Sequence, residues 1–327
     1  FSQYNNRDNF GKIQFANVGS GFNPLVFEVD TEQNLSLLPT NKSYFIKGIK
    51  AVNYYDVKTP TTAFIYHNSV RNGAVLQSTY TQNIGKEFNF AIEYTGLRSQ
   101  GHYLNSLAAN NEVLFSGHYK SKGGKYEAFA HYIHQNMNNQ ENGGIADLDL
   151  FLNGNSDFNN RENLLVNLNA SNSQYAYRRY YFSQEFKPFS SDKFPFKIRH
   201  TVFHQGNKYF YNQSSPERYY YTDPLELYDY PASSKKYSKN LSNTVSVLFD
   251  KENFKLDAGV RHQLIKLGIG TPLPAFLNIP QELSENRIGA VGNLQIKLWD
   301  KIALNSNLEF SKEYLEEMAP YAAHLLL

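Results

Sequence analysis

From Thr61 onward the chain alternates apolar and polar positions with a period of two, the pattern of strands whose faces meet different solvents. Phe88, Phe90, Ile92 and Tyr94 share one face of a strand, and Asn89, Ala91, Glu93 and Thr95 the other. Phe254, Leu256, Ala258, Val260 and Leu264 stand against Lys255, Asp257, Arg261 and Gln263 in the cleanest division of the chain. Weaker runs give about eleven strands in all, each near the 9 to 11 residues that a tilted membrane-spanning strand requires.

The connections alternate in length. Short turns are expected at Ile84-Gly85-Lys86-Glu87, Lys122-Gly123-Gly124, Pro188 to Lys193, Asp250-Lys251-Glu252-Asn253 and Asp300-Lys301, with a hairpin turn at Arg71-Asn72-Gly73. Long polar loops are expected from Arg98 to about Asn111, up to about Asn160, from Gly206 to Asn240 and around Pro272, Pro274 and Pro280. This rhythm predicts an all-β fold: an antiparallel transmembrane β-barrel with short periplasmic turns and long extracellular loops. Residues 1–60 carry Pro24, Pro39 and Pro60 without a sustained period and read as an irregular plug or periplasmic segment ahead of a barrel at 61–327. About 11 to 12 strands, an odd count, and a poor final strand at Met318 to Leu327 lead to the expectation of a longer barrel.

Alternation alone also fits a soluble carbohydrate-binding sandwich, which would extract without detergent. Aromatic residues favour the barrel. Phe88, Tyr119, Tyr126, Phe186, Phe196, Phe249 and Phe254 each stand beside a turn on the apolar face, as rings do where hydrocarbon meets headgroups. The apolar faces of the best-resolved strands carry no Lys or Arg, and His262 is their single polar member. With 25 Tyr and 24 Phe in 327 residues and a mean hydropathy of −0.54, the chain has no apolar run long enough for a spanning helix, a test that strands escape.

Other chemistry is sparse. Zero cysteines exclude disulfides, thiolate metal sites and cysteine nucleophiles. A net charge of +2, with basic doublets only at Arg178-Arg179 and Lys235-Lys236, gives no nucleic-acid stripe. His131 and His134 fall on opposite strand faces, and His200 and His204 share one without an acid at ligand spacing; no metal or cofactor is expected. Ser116 and His118 share a face, a common accident rather than a catalytic pair. The tyrosine-rich stretch Arg218 to Tyr230 reads as a loop packed on itself, with sugar or protein stacking as the alternative. Glu93, Lys255, Asp257, Arg261, Lys297 and Glu309 are the candidate lumen-facing charges, and their mixed signs argue against strong ion selectivity.

Arg7-Asp8-Asn9-Phe10-Gly11-Lys12-Ile13-Gln14-Phe15-Ala16-Asn17-Val18-Gly19, with Phe22-Asn23-Pro24-Leu25, resembles the Bacteroidota putative β-barrel porin family. So do Asn53-Tyr54-Tyr55-Asp56-Val57 with Pro60-Thr61-Thr62, Tyr94-Thr95-Gly96-Leu97-Arg98-Ser99 and Glu141-Asn142-Gly143-Gly144-Ile145. The resemblance implies an outer-membrane barrel preceded by a periplasmic segment, and brings no catalytic residues. The expected function is passive diffusion of small polar solutes, not enzymatic; the alternative is a non-conducting scaffold in a secretion or uptake complex. The expected partners are outer-membrane lipid and other outer-membrane or periplasmic proteins.

Overall fold

A computed structural model describes residues 11–14, 17–26, 40–69, 71–154, 156–189, 195–214, 233–270, 282–298 and 302–315. A small ribbon of β1 (Lys12–Gln14) and β2 (Phe22–Pro24) precedes one eleven-stranded antiparallel sheet. Its strands are β3 (Thr61–Ser69), β4 (Gly73–Ile84), β5 (Phe88–Ser99), β6 (Ala108–Lys120), β7 (Tyr126–Glu141), β8 (Ser171–Phe186), β9 (Phe196–Gln213), β10 (Ser233–Lys251), β11 (Phe254–Ile269), β12 (Glu282–Leu298) and β13 (Ile302–Leu315). Each pairs with its neighbours in sequence, so the sheet is a pure meander. Among the described residues it is not closed: β3 and β13 each pair on one side only. Among the described residues no helix is long and apolar enough to cross a membrane.

Among the described residues the turns form where the sequence places them; the turn expected at Pro188 to Lys193 lies mostly outside them. Arg71 and Asn72 adopt φ of 44° and 47°, the left-handed pair that a two-residue hairpin needs to follow the strand twist. Strand lengths depart from expectation, since β7 to β12 run 16 to 19 residues. Pairing continues at the long-loop end through stretches such as Asn136 to Glu141 and Ser233 to Asn240, where the apolar alternation fades. Backbone ladders persist there because both faces meet polar surroundings and period-two hydrophobicity has nothing left to sort. The tyrosine-rich stretch, the turn at Asp300-Lys301 and the C-terminal Met318 to Leu327 lie outside the described residues.

The two faces differ as two solvents require. Phe64, Ile92, Phe115, Phe182, Val245, Val260, Leu308 and Phe310 are exposed on the outer face. The inner face of β4 to β8 is buried under the chain that precedes the barrel, and it carries Thr81, Asn89, Glu93, Ser116, His131, Gln135 and Arg179. Apolar outside and polar inside inverts a water-soluble protein and fits a sheet bathed in hydrocarbon. Neutral polar groups on the outer face satisfy one another. Tyr126 donates to Gln184 Oε1 at 2.9 Å, Gln184 meets His200 at 3.2 Å, and His200 meets Asn243 at 2.9 Å. His262, one ladder step beyond, bonds Asn286 at 2.9 Å.

The inversion gives a direct test on adjacent residues of β10. Val245→Arg, which faces outward, is expected to destabilise the barrel in phospholipid vesicles by about 2–4 kcal/mol, and inward-facing Thr244→Arg by well under half of that. Urea unfolding followed by loss of heat-modifiable gel mobility reads both.

Candidate functional site

The site is the inner surface of the sheet and the segment that runs down it. Residues 17–26 sit at the long-loop end. Asn17 donates from Nδ2 to the Ser99 and Ser106 carbonyls at 2.9 and 2.7 Å, and Ser99 Oγ donates back to Asn17 Oδ1 at 2.6 Å. Gly19, at φ 86°, turns so that its carbonyl accepts from the Asn110 and Asn139 amides. A β-carbon there would strike Leu97, so the turn needs glycine twice over.

Residues 40–57 then descend the wall. Lys42 Nζ donates to Asn139 Oδ1 and Ser173 Oγ at 2.7 and 2.8 Å. Lys47 Nζ lies between Glu93 at 3.0 Å and Glu112 at 2.9 Å. Tyr55 donates to the other Glu93 oxygen at 3.0 Å, and Ser116 Oγ donates to the Asn53 carbonyl. Asn83, near the short turns, binds Asp56 and the Val57 amide. Between these polar pins Phe22, Phe45 and Val52 pack on Leu114, Ile133, Met137, Tyr175 and Tyr177. The segment is therefore held both by apolar burial and by specific bonds, with Lys42 and Lys47 facing wall acids or amides.

Arg179, only 1% exposed, anchors the centre of this contact. Its Nε donates to His131 Nε2 at 2.8 Å and its Nη1 to the Tyr177 hydroxyl at 2.5 Å. Arginine has no acceptor, so His131 Nε2 must carry the lone pair; the neutral ring then holds its proton on Nδ1, which donates to the Tyr54 hydroxyl at 2.7 Å. Tyr181 stacks on the imidazole at 4.5 Å.

The inner wall of β9 to β13 is lined differently. Glu185 receives Lys197 at 2.8 Å and Arg199 at 2.7 Å, and Arg199 reaches on to Asp257 at 2.9 Å. Arg261 pairs with Glu309 at 3.3 Å, and Arg287 with Glu285 at 2.6 Å. The inward column of β10 is small and polar, with Ser238, Ser242, Thr244 and Ser246. Among the charges singled out in the sequence, Glu93 is held by the segment, Asp257, Arg261 and Glu309 join these pairs, Lys255 binds Asp250 at 3.0 Å beside its turn, and Lys297 is exposed on the same face. Sequence reasoning missed Lys42, Lys47, Arg179, Glu185 and Arg199. For Arg179 and Glu185 the signal was present, since both occupy the polar face of an alternating strand.

Phe88, Tyr119, Tyr126, Phe186, Phe196, Phe249 and Phe254 all lie on the outer face beside the short turns, with Tyr119 against Tyr126 at 6.2 Å and Phe249 against Phe254 at 5.9 Å. His131 and His134 point to opposite faces, and His200 and His204 both point outward. Ser116 and His118 do not meet: His118 binds Glu127 at 2.8 Å. No group of three potential metal ligands occurs among the described residues.

A family model described as "Putative porin" matches residues 1–319. The chain belongs to that porin family. It is an outer-membrane barrel protein, and the inverted faces of its sheet agree with that. Searching curated proteins gave no match. Among solved structures, the sheet is similar to the ferric-catecholate import receptor Fiu of E. coli K12 in its closed form, at TM-score 0.49 and 11% identity, over 78% of this chain and 40% of that one. It is also similar to BauA, the ferric preacinetobactin receptor of Acinetobacter baumannii, at TM-score 0.42 and 10% identity, over 78% and 43%. The chain thus spans less than half the length of either receptor.

The chain has no natural cysteine, so a single Val52→Cys reports whether the inner segment of this porin-family protein is docked. Maleimide labelling is expected to be slow in the parent and faster by about tenfold or more with Lys47→Ala added. Burial pulls the Lys47 ammonium down, but Glu112 and Glu93 together outweigh it and hold its pKa above 10.5. Burial also raises the Tyr54 and Tyr55 phenols above 10.0. These groups favour docking fully below about pH 10, and that contribution is lost as pH rises through their raised values. Lys42, lowered by burial against the pull of Glu141, works in the opposite direction. Labelling, taken relative to an exposed cysteine control at the same pH to remove the change in thiolate fraction, should therefore stay flat through neutral pH and climb only in strong alkali, with Lys47→Ala removing part of that rise.

Proposed function

We propose that the chain forms a passive path for small polar solutes across the outer membrane and catalyses no reaction. The observation that carries this reading is the inner wall of β9 to β13, whose charged groups, among the described residues, pair with one another and with Glu185 rather than with the preceding segment. The hydroxyl column of β10 and the ion pairs beside it are polar, while the described contacts of the docked segment fall mainly on β4 to β8, with Tyr209 of β9 at their margin. Once both edges of the sheet are paired, such a wall encloses water rather than a packed core. Cations and anions alternate along it, so a solute meets a field that runs across its path and has no dominant sign. This favours small dipolar solutes and gives little preference between simple ions.

Reconstitution into planar bilayers tests the reading. Discrete ohmic steps are expected, with a potassium-to-chloride permeability ratio within about threefold of unity. Arg199→Glu, which leaves Glu185 and Asp257 without their shared cation, should move the ratio toward potassium. Silent bilayers from correctly inserted protein would replace the diffusion reading with that of a scaffold barrel.

A further inference from the structure

The outer face is uncharged from the girdle of aromatics upward, and then all but one of the described strands that meet a charge meet a cation first. On β5 it is Arg98, on β8 Arg178, on β9 Lys208, on β10 Lys239, on β11 Lys266 and on β13 Lys312; β12 alone begins with an acid, Glu282. Three of these cations share one ladder row: Arg178 is opposite Gly206, Gly206 opposite Lys239, and Lys239 opposite Lys266. Like charges directly across a strand pair destabilise a sheet unless an anion lies between them. Glu282 supplies part of the compensation, held by Lys266 at 2.9 Å and by the Tyr237 hydroxyl. Among the described residues neither Arg178, Lys208 nor Lys239 has a carboxylate in ion-pair contact.

A cleft of about 380 Å³ opens at this cluster, lined by His134, Arg178, His204, Lys208, Tyr237 and Lys239. Its floor is low because Gly206 stands in the row between Arg178 and Lys239, with open space where a side chain would be. The position matters as much as the charge. These residues lie on the membrane-facing side, just beyond the apolar band and toward the long loops, which outer-membrane barrels turn to the cell exterior. Solutes in the lumen cannot reach them from there. What does reach them is the headgroup layer of the outer leaflet.

We propose that this cleft is a binding site for the phosphate of an outer-leaflet lipid. Arg178 offers its planar fork to the phosphate oxygens, Lys208 and Lys239 close on it as point charges, and Tyr237 packs on the lipid's polar body. The acyl chains then run down the outer face over Tyr180, His204 and Leu241. The inference depends on the outer surface of the sheet and is independent of whether the lumen conducts.

The test is native mass spectrometry of the detergent-purified protein titrated with diphosphoryl lipid A, its dephosphorylated form and inorganic phosphate. The parent should retain diphosphoryl lipid A, and the triple variant Arg178→Gln, Lys208→Gln, Lys239→Gln should bind it about a hundredfold more weakly while keeping heat-modifiable mobility. A control at an uncharged outer position, Leu308→Gln, should leave retention unchanged. Equal retention by the triple variant, or equal uptake of dephosphorylated lipid, overturns the proposal. Binding of inorganic phosphate as tight as that of the lipid overturns the lipid as its source. If the triple variant loses the barrel mobility, Lys208→Gln alone is read against the same thresholds, with about a fivefold loss expected.

Discussion

Backbone amides and carbonyls have no water to bond in hydrocarbon, and each one left unpaired costs several kcal/mol. The long antiparallel ladders from β3 to β13 answer that demand along their whole interior. Everything else in the molecule is arranged around them. Because the ladder fixes a two-residue alternation, one set of side chains must meet acyl chains and the other must meet water or polar protein. The sequence can then use ordinary residues for an inverted protein, with greasy side chains out and polar side chains in.

The inner surface divides into two halves. Against β4 to β8 the preceding segment supplies its own cations to wall acids, as Lys47 does to Glu93 and Glu112, and thereby relieves charges that would be expensive to enclose alone. Against β9 to β13 the wall neutralises itself, strand to strand, through Glu185, Arg199 and Asp257. The first half is a docking surface, and the second pairs its charges within the wall. That difference, rather than any single residue, supports reading the interior as a route with a fixed lining on one side.

Much of this is legible in the sequence itself. Period-two alternation is a local signal, so the faces of Phe88 to Tyr94 and Phe254 to Leu264 followed directly, and the turn at Arg71-Asn72 announced itself by residue type. The candidate charges Asp257, Arg261 and Glu309 share the inward face of their strands for the same reason. Their partners did not follow, because Arg199 of β9 meets Asp257 of β11 over the intervening β10, a contact that spans a long loop. The inner segment was opaque for a related cause: its order comes from Lys42, Lys47 and Tyr54 meeting strands far along the chain, and nothing periodic marks such residues. The polar groups on the outer face were seen only at His262, since Gln184, His200 and Asn243 lie where the alternation is less clean.

Those outer polar groups are arranged on a slant. From Tyr126 through Gln184, His200 and Asn243 to His262, each member stands one alternate position farther from its own strand's girdle aromatic than the last. A belt of amides and imidazoles at a single level would force every surrounding tail to meet a hydrophilic hoop and would pinch the bilayer there. Spread along a diagonal, the same groups present any given layer of tails with a single small polar spot flanked by Phe, Val or Leu. Local deformation is thereby shared across the full thickness of the membrane.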